Sequence, residues 1–104
     1  MHLSTIEKEN IKKEIIRILS DEKEIEKIVL FGSFVKSNEP NDIDIAIFQN
    51  SDEKYLVLAM KYRKKVREIS KKIPIDIIPL KRNVTNDFVS SEIETGEIIY
   101  EKRN

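Results

Sequence analysis

Three aspartates lie in segments that otherwise consist mainly of isoleucine, although aspartate is depleted in β-strands. Asp42 and Asp44 alternate with isoleucines in the segment 42–47, and Asp76 lies in the run 75–78. At a rise of roughly 3.3 Å per residue, the first two carboxylates share one strand face and lie about 6 to 7 Å apart. A divalent cation offsets the repulsion and lost hydration of such carboxylates. The sequence therefore predicts an all-oxygen site for Mg²⁺ or Mn²⁺ formed by Asp42, Asp44 and Asp76.

Gly32 and Ser33 form a second candidate element. They follow the apolar run 28–31 and precede the acidic segment by eight residues, 34–41. A glycine lets the backbone approach a phosphate closely, and a serine adds a hydroxyl donor. A phosphate site and a metal site on adjacent strands suit phosphoryl or nucleotidyl transfer, in which metal ions hold the attacking and leaving oxygens.

Each candidate residue also has a purely structural interpretation. A Gly-Ser pair by itself is typical of an ordinary strand-to-loop turn. The pair Asn41 and Asp42 also has the composition of a turn, and Asp76 fits an outward-facing strand position. The combination favours the functional interpretation, because Gly32 and Ser33 are followed so closely by paired carboxylates.

The elements that must position these residues follow from capping and periodicity. Ser4 and Glu7 have the spacing of a capping box, which predicts a helix start. In chain order the predicted elements are a helix over 5–19, strands over 28–31 and 42–47, a helix over 53–71, a strand over 73–80, a short helix capped by Thr85 or Asn86 and ending near Glu94, and an edge strand over 97–101. Gly96 is predicted to adopt the left-handed conformation that ends helices. The order α-β-β-α-β-α-β predicts an α+β fold with a small mixed sheet covered by helices on one side.

Length and composition exclude further classes of function. The chain has 104 residues, so we interpret 1–104 as a single domain. It has no cysteine and one histidine, His2, which excludes thiolate chemistry and leaves carboxylates as the candidates for acid, base or metal chemistry. Nineteen basic residues balance nineteen acidic ones, so no overall charge favours nucleic acid. No apolar segment approaches about 18 residues, and we expect a cytoplasmic protein without a membrane span.

The second predicted helix is locally basic. One acidic residue, Glu68, accompanies seven basic ones: Lys61, Arg63, Lys64, Lys65, Arg67, Lys71 and Lys72. A run of charge is usually a solvated face. An acidic partner protein and the phosphates of a nucleic acid are the alternatives.

Together these motifs resemble those of a known superfamily. Phe31-Gly32-Ser33, the segment 42–47 and the segment 75–78 are similar, in the same order, to the Gly-Ser, Asp-x-Asp and third-Asp motifs of the polymerase-beta-like nucleotidyltransferases. The small size and the C-terminal segment 93–101 resemble the minimal nucleotidyltransferases, which are often the antitoxin half of a two-gene module with a helical HEPN toxin. The resemblance covers residues 28–101.

The resemblance implies an activity and a set of site residues. The implied nucleotide-binding residues are Gly32, Ser33 and Lys36, and the implied metal ligands are Asp42, Asp44 and Asp76. Asp76 would also help to deprotonate the attacking hydroxyl. The implied cofactor is Mg²⁺ and the implied substrate is ATP, with transfer of AMP to a tyrosine of a partner HEPN toxin.

One departure from the family pattern supports an alternative. The segment 34–41 contains no glycine and carries Lys36-Ser37 where many relatives have Arg-Gly; a lysine meets a phosphate as a point charge, without a bidentate fork. The alternative function is a binding module with this fold, catalytically weak or inactive, that neutralises its partner by contact. Transfer to an RNA or a small molecule is the third hypothesis, although the short chain has no evident domain for a second substrate.

Overall fold

The computed structural model describes residues 2–81 and 91–103. The elements in chain order are α1 (Thr5–Leu19), β1 (Ile25–Phe31), α2 (Ser33–Lys36), β2 (Ile43–Gln49), α3 (Tyr55–Lys65), α4 (Arg67–Ser70), β3 (Ile75–Lys81), α5 (Ser91–Glu94) and β4 (Glu97–Glu101). The strands form one mixed sheet in the order β3-β2-β1-β4. β1 is antiparallel to β2 and β4, whereas β2 and β3 are parallel. The predicted α+β fold with a small mixed sheet is confirmed.

Alternation along the strands divides the core between the two faces of the sheet. On one face, Ile28 and Ile45 pack against α1 and α3 through Ile15 and Tyr62. On the opposite face, a smaller apolar cluster receives Ile93 from α5. The longer helices therefore cover one face as predicted, and the opposite face retains room for polar side chains at the end of the strands where β2 begins.

Local signals placed α1 and β4 correctly. The Ser4 backbone N–H donates to Glu7 Oε1 at 2.9 Å, and the Glu7 N–H donates to Ser4 Oγ at 3.1 Å. This is the predicted capping box, and it satisfies two of the N–H groups that a helix start leaves unpaired. β4 lies at one edge of the sheet, also as predicted.

The bounds of β2 and β3 differ from the predicted ones by one or two residues. Three differences are larger, and burial explains each. β1 begins at Ile25 rather than at residue 28, because Ile25 is fully buried and pairs with Gln49 of β2. Part of the predicted loop 34–41 belongs to α2, where Phe34 is fully buried. The predicted helix 53–71 divides into α3 and α4 at Val66, a buried residue with φ −96° and ψ 13°.

The predicted ending of the last helix is also wrong in part. Gly32, not Gly96, has the positive φ among the described residues. Gly96 is needed for close approach instead, because a Cβ there would lie 2.5 Å from Leu30 O and 2.8 Å from Val29 Cγ1. The predicted caps Thr85 and Asn86 lie outside the described residues.

Ion pairs neutralise part of the basic helix. The Lys61 ammonium lies 3.4 Å from Glu22 Oε1 and 3.1 Å from Glu24 Oε2, and Lys65 lies 3.3 Å from Glu22 Oε1. The buried Tyr62 donates its hydroxyl to Glu24 Oε2 at 2.8 Å. These contacts join α3 to the acidic turn before β1. In the described part of the chain, no helix has the length and apolar content that a membrane crossing requires.

Candidate active site

The three predicted carboxylates come together at one end of the β2–β3 pair. One oxygen of each of Asp42, Asp44 and Asp76 lies within 4.8 Å of the others. The parallel register places Asp44 directly opposite Asp76. The Ile43 N–H donates to Pro74 O at 2.9 Å, which joins the beginning of β2 to the beginning of β3 and brings Asp42 to the same place.

This cluster suits a hard divalent cation. Every donor is a carboxylate oxygen, the ligand that Mg²⁺ and Mn²⁺ prefer. Asp42 and Asp44 are half-buried, whereas Asp76 is exposed, so the cluster is open to solvent and to a substrate. No basic side chain among the described residues forms an ion pair with any of the three, and their mutual repulsion therefore favours a bound cation.

Asp44 carries the electrostatic cost of this arrangement. Burial, followed by the charges of Asp42, Asp76 and Glu92, raises the pKa of its carboxyl from 3.8 to about 6. A raised pKa means that the folded protein disfavours the ionised form. Ionised Asp44 therefore destabilises the metal-free fold, and a cation at the cluster removes this cost.

This cost predicts a pH-dependent stability difference between the metal-free protein and its Asp44→Asn variant. Because the folded pKa lies above the unfolded one, the destabilisation is absent below pH 3.8 and complete above about pH 6. The parent should therefore lose stability relative to Asp44→Asn as the pH rises from about 4 to 7, by on the order of 1 kcal/mol after allowing for solvent screening. Urea unfolding of both proteins in chelator measures this difference, and a difference that does not change with pH contradicts the assignment.

Gly32 brings the backbone into contact with this cluster. Its φ of 76° lies in the region that only glycine adopts readily. A Cβ at this position would overlap with Oδ2 of Asp44. The predicted Gly-Ser element therefore lies against the acidic cluster, and a phosphate that contacts the Gly32 backbone is placed beside the carboxylates.

Ser33 and Lys36, the other two predicted nucleotide-binding residues, lie at the two ends of α2. The Ser33 Oγ accepts the Asn41 N–H at 3.3 Å, which closes the base of the following loop and leaves the hydroxyl proton free to be donated. Lys36 is exposed and forms no ion pair with the acidic cluster. The structure thus brings Gly32 to the carboxylates and leaves the Lys36 ammonium in solvent.

Two further residues near the site carry no signal that a sequence pattern could detect. Glu92, in α5, adds negative charge at Asp44, and its position depends on how α5 packs against β1. Lys8, in α1, donates to the carbonyl oxygen of Ser37 and lies 5.5 Å from the ring centroid of Phe34. Lys8 therefore ties the loop after α2 to the first helix, and helical periodicity marks it only as a polar position.

Comparison with known proteins identifies a family whose model matches this chain. The family model described as polymerase beta nucleotidyltransferase matches residues 13–104. A toxin–antitoxin crystal structure with AMP-PNP contains a chain that matches with a TM-score of 0.67 at 21% identity, covering 88% of this chain and 74% of that one. The MntA–HepT toxin–antitoxin gives a TM-score of 0.63 at 20% identity, with 90% and 73% coverage.

A complex of a tri-AMPylated HEPN toxin of Shewanella oneidensis with its MNT antitoxin gives a TM-score of 0.61 at 21% identity, with 91% and 73% coverage. No curated protein sequence matches the chain. At these identities the solved structures establish the fold, and the family model covers most of the sequence. The chain therefore belongs to the polymerase beta nucleotidyltransferase family.

Proposed function

We propose that this protein is a Mg²⁺-dependent nucleotidyltransferase that transfers AMP from ATP to a hydroxyl of a partner protein. The observation that carries the proposal is the convergence of Asp42, Asp44 and Asp76 within 4.8 Å, with the Gly32 backbone in contact with Asp44. In a member of a nucleotidyltransferase family, this arrangement supplies a metal site and a phosphate site side by side. The whole chain, residues 1–104, acts as one minimal domain in this proposal.

In this proposal the carboxylates hold the metal and the Gly-Ser element holds the triphosphate. Asp42, Asp44 and Asp76 are the metal ligands. The Gly32 backbone and the Ser33 hydroxyl orient the phosphates, and Lys36 reaches an outer phosphate oxygen from solvent. Bound Mg²⁺ supplies charge stabilisation to the phosphate oxygens of the substrate.

The chemical step replaces a phosphoanhydride bond of the α-phosphorus with a phosphoester bond. The acceptor hydroxyl oxygen attacks the α-phosphorus of ATP, and the bond to the bridging oxygen breaks, so pyrophosphate leaves. Asp76 is the most exposed of the three carboxylates, and it accepts the proton of the attacking hydroxyl. The products are an AMP ester of the acceptor and pyrophosphate.

The proposed partner is based on the complexes in which the structural neighbours occur. All three that are described above come from toxin–antitoxin pairs, and in one the HEPN toxin is tri-AMPylated. We propose that this protein is the antitoxin of such a pair and modifies a tyrosine of a helical HEPN toxin. We also propose that it acts in the cytoplasm, where ATP and Mg²⁺ are available.

The test is transfer of label from ATP to a purified helical HEPN toxin. With Mg²⁺ present, we expect label from α-labelled ATP to enter the toxin and label from γ-labelled ATP to leave with pyrophosphate. Intact mass should rise by whole AMP units, and peptide mapping should place each unit on tyrosine. Incorporation of the γ-label instead would indicate phosphoryl transfer and overturn the proposal.

The same experiment separates transfer from neutralisation by contact. The double variant Asp42→Asn/Asp44→Asn should bind the toxin without labelling it, and the toxin should remain active in its presence. If this variant inhibits the toxin as well as the parent does, without ATP, the protein acts as a binding module with the family fold.

A further inference from the structure

An apolar surface lies on the outer side of α3. Four large apolar side chains that are roughly half or more exposed fall within six residues: Tyr55 at 56%, Leu56 at 63%, Val57 at 48% and Met60 at 62%. The opposite side of α3 packs into the core through Leu58, Ala59 and Tyr62. Clustered exposed apolar side chains mark interaction surfaces more often than scattered ones do.

Charges of opposite sign flank this surface. Glu53 precedes the apolar residues and Lys64 follows them; both are exposed, and neither forms an ion pair within the described residues. Arg63 and Arg67 add to the basic end and, with Val57, Met60 and Lys64, line an open groove of about 560 Å³. The neighbouring lysines, Lys61 and Lys65, are already paired with the turn before β1. The exposed surface therefore runs from Glu53, before α3, through the apolar side chains to the basic end of the helix.

Helical spacing aligns the exposed residues of α3. Val57, Met60 and Lys64 are separated by three and four positions, which places them on one side of the helix, and Glu53 lies just before the helix begins. A second copy that lies antiparallel across this side of α3 brings Met60 opposite Val57 and directs the basic end of each helix, with Lys64, towards Glu53 of the other copy. The surface is therefore complementary to itself, as a two-fold interface requires.

We propose that the outer face of α3 is a self-association surface at which two copies of this chain pair antiparallel. The interface leaves the acidic cluster of each copy open, because the two lie on opposite faces of the sheet. α3 packs on one face. Asp44, which is in register with Asp76, points from the other face, on which Ala46 and Phe48 belong to the smaller apolar cluster. The proposal is independent of the proposed activity, since none of the α3 residues belongs to the site.

Sedimentation equilibrium of the full-length protein tests the surface. At roughly 10 to 500 µM, the mass should rise from 12.2 kDa towards twice that value. Met60→Glu should raise the dissociation constant of the dimer by at least about tenfold, because it buries a charge at the centre of the interface. Ile6→Glu is the matched control, because Ile6 is 73% exposed on α1, and it should leave the mass distribution unchanged.

Charge reversal tests the antiparallel register. Glu53→Lys and Lys64→Glu should each weaken the dimer by about tenfold, because each places like charges opposite one another. Their 1:1 mixture should dimerise as the parent does, since both cross-pairs are then complementary, and so should the double variant. A parent that remains monomeric throughout this range, a Met60→Glu dimer of parental affinity, or a mixture without rescue overturns the proposal.

Discussion

Replacing Asp44 by asparagine should reduce AMP transfer by at least about 10³-fold while the fold is retained. Asp44 belongs to the proposed metal site, where one oxygen of each of Asp42, Asp44 and Asp76 lies within 4.8 Å of the others, and its Oδ2 faces Gly32. Asparagine keeps the shape of the side chain and removes its charge, so the cluster loses one of the negative charges that attract Mg²⁺. Weaker Mg²⁺ binding in turn reduces the stabilisation of charge on the reacting phosphates. Both kcat and the affinity for Mg²⁺ should fall.

The fold of the variant is the internal check on this result. Asp44 ionises at a cost in the metal-free protein, so Asp44→Asn should unfold at the same or a higher temperature than the parent in chelator at pH 7.5. Asp52→Asn is the matched control, because Asp52 is an exposed aspartate outside the cluster, and it should transfer AMP at the parental rate. Transfer by Asp44→Asn at the parental rate would show that the cluster is not the metal site.

The strand face that each aspartate occupies could be predicted from local sequence, because alternation of aspartate with isoleucine determines on which side of the sheet each side chain lies. Asp44 shares its face with Ala46, whereas Ile45 lies in the main core. The same reasoning gave α1 and β4, whose boundaries depend on a capping box and a short edge run. These features involve residues only a few positions apart, where propensity and pattern carry most of the information.

The geometry of the site depends on contacts between residues far apart in the chain. Asp44 faces Asp76 because the parallel register is set by pairing across 32 positions, with Ile43 N–H bonded to Pro74 O, and no local pattern specifies such a pairing. The α2 turn was missed because the burial of Phe34 outweighs the polar composition of the following loop. Gly96 was assigned the wrong role because its contact with Leu30 O is a tertiary one.

Gly32→Ala should both destabilise the fold and prevent nucleotide binding, and the two effects have separable causes. A positive φ costs alanine about 1 kcal/mol or more, and the new Cβ would overlap with Asp44 Oδ2. We expect a combined loss of about 2 to 3 kcal/mol in the free energy of unfolding. The stabilisation by saturating ATP and Mg²⁺, about 2.7 kcal/mol for a ligand at 100 times its dissociation constant, should disappear, because the Asp44 carboxylate is displaced.

A double-mutant cycle with Asp44→Ala isolates the overlap from the backbone strain. Asp44→Ala removes Oδ2, so adding Gly32→Ala to that variant should cost only the strain of the positive φ, about 1 kcal/mol. Gly96→Ala is the control for general destabilisation: its Cβ would lie 2.5 Å from Leu30 O and would overlap with none of the three cluster aspartates, so it should lower stability and retain the ATP-dependent stabilisation. Equal costs of Gly32→Ala in both backgrounds would mean that Asp44 adapts to the methyl group, and that glycine is required at this position for its backbone conformation alone.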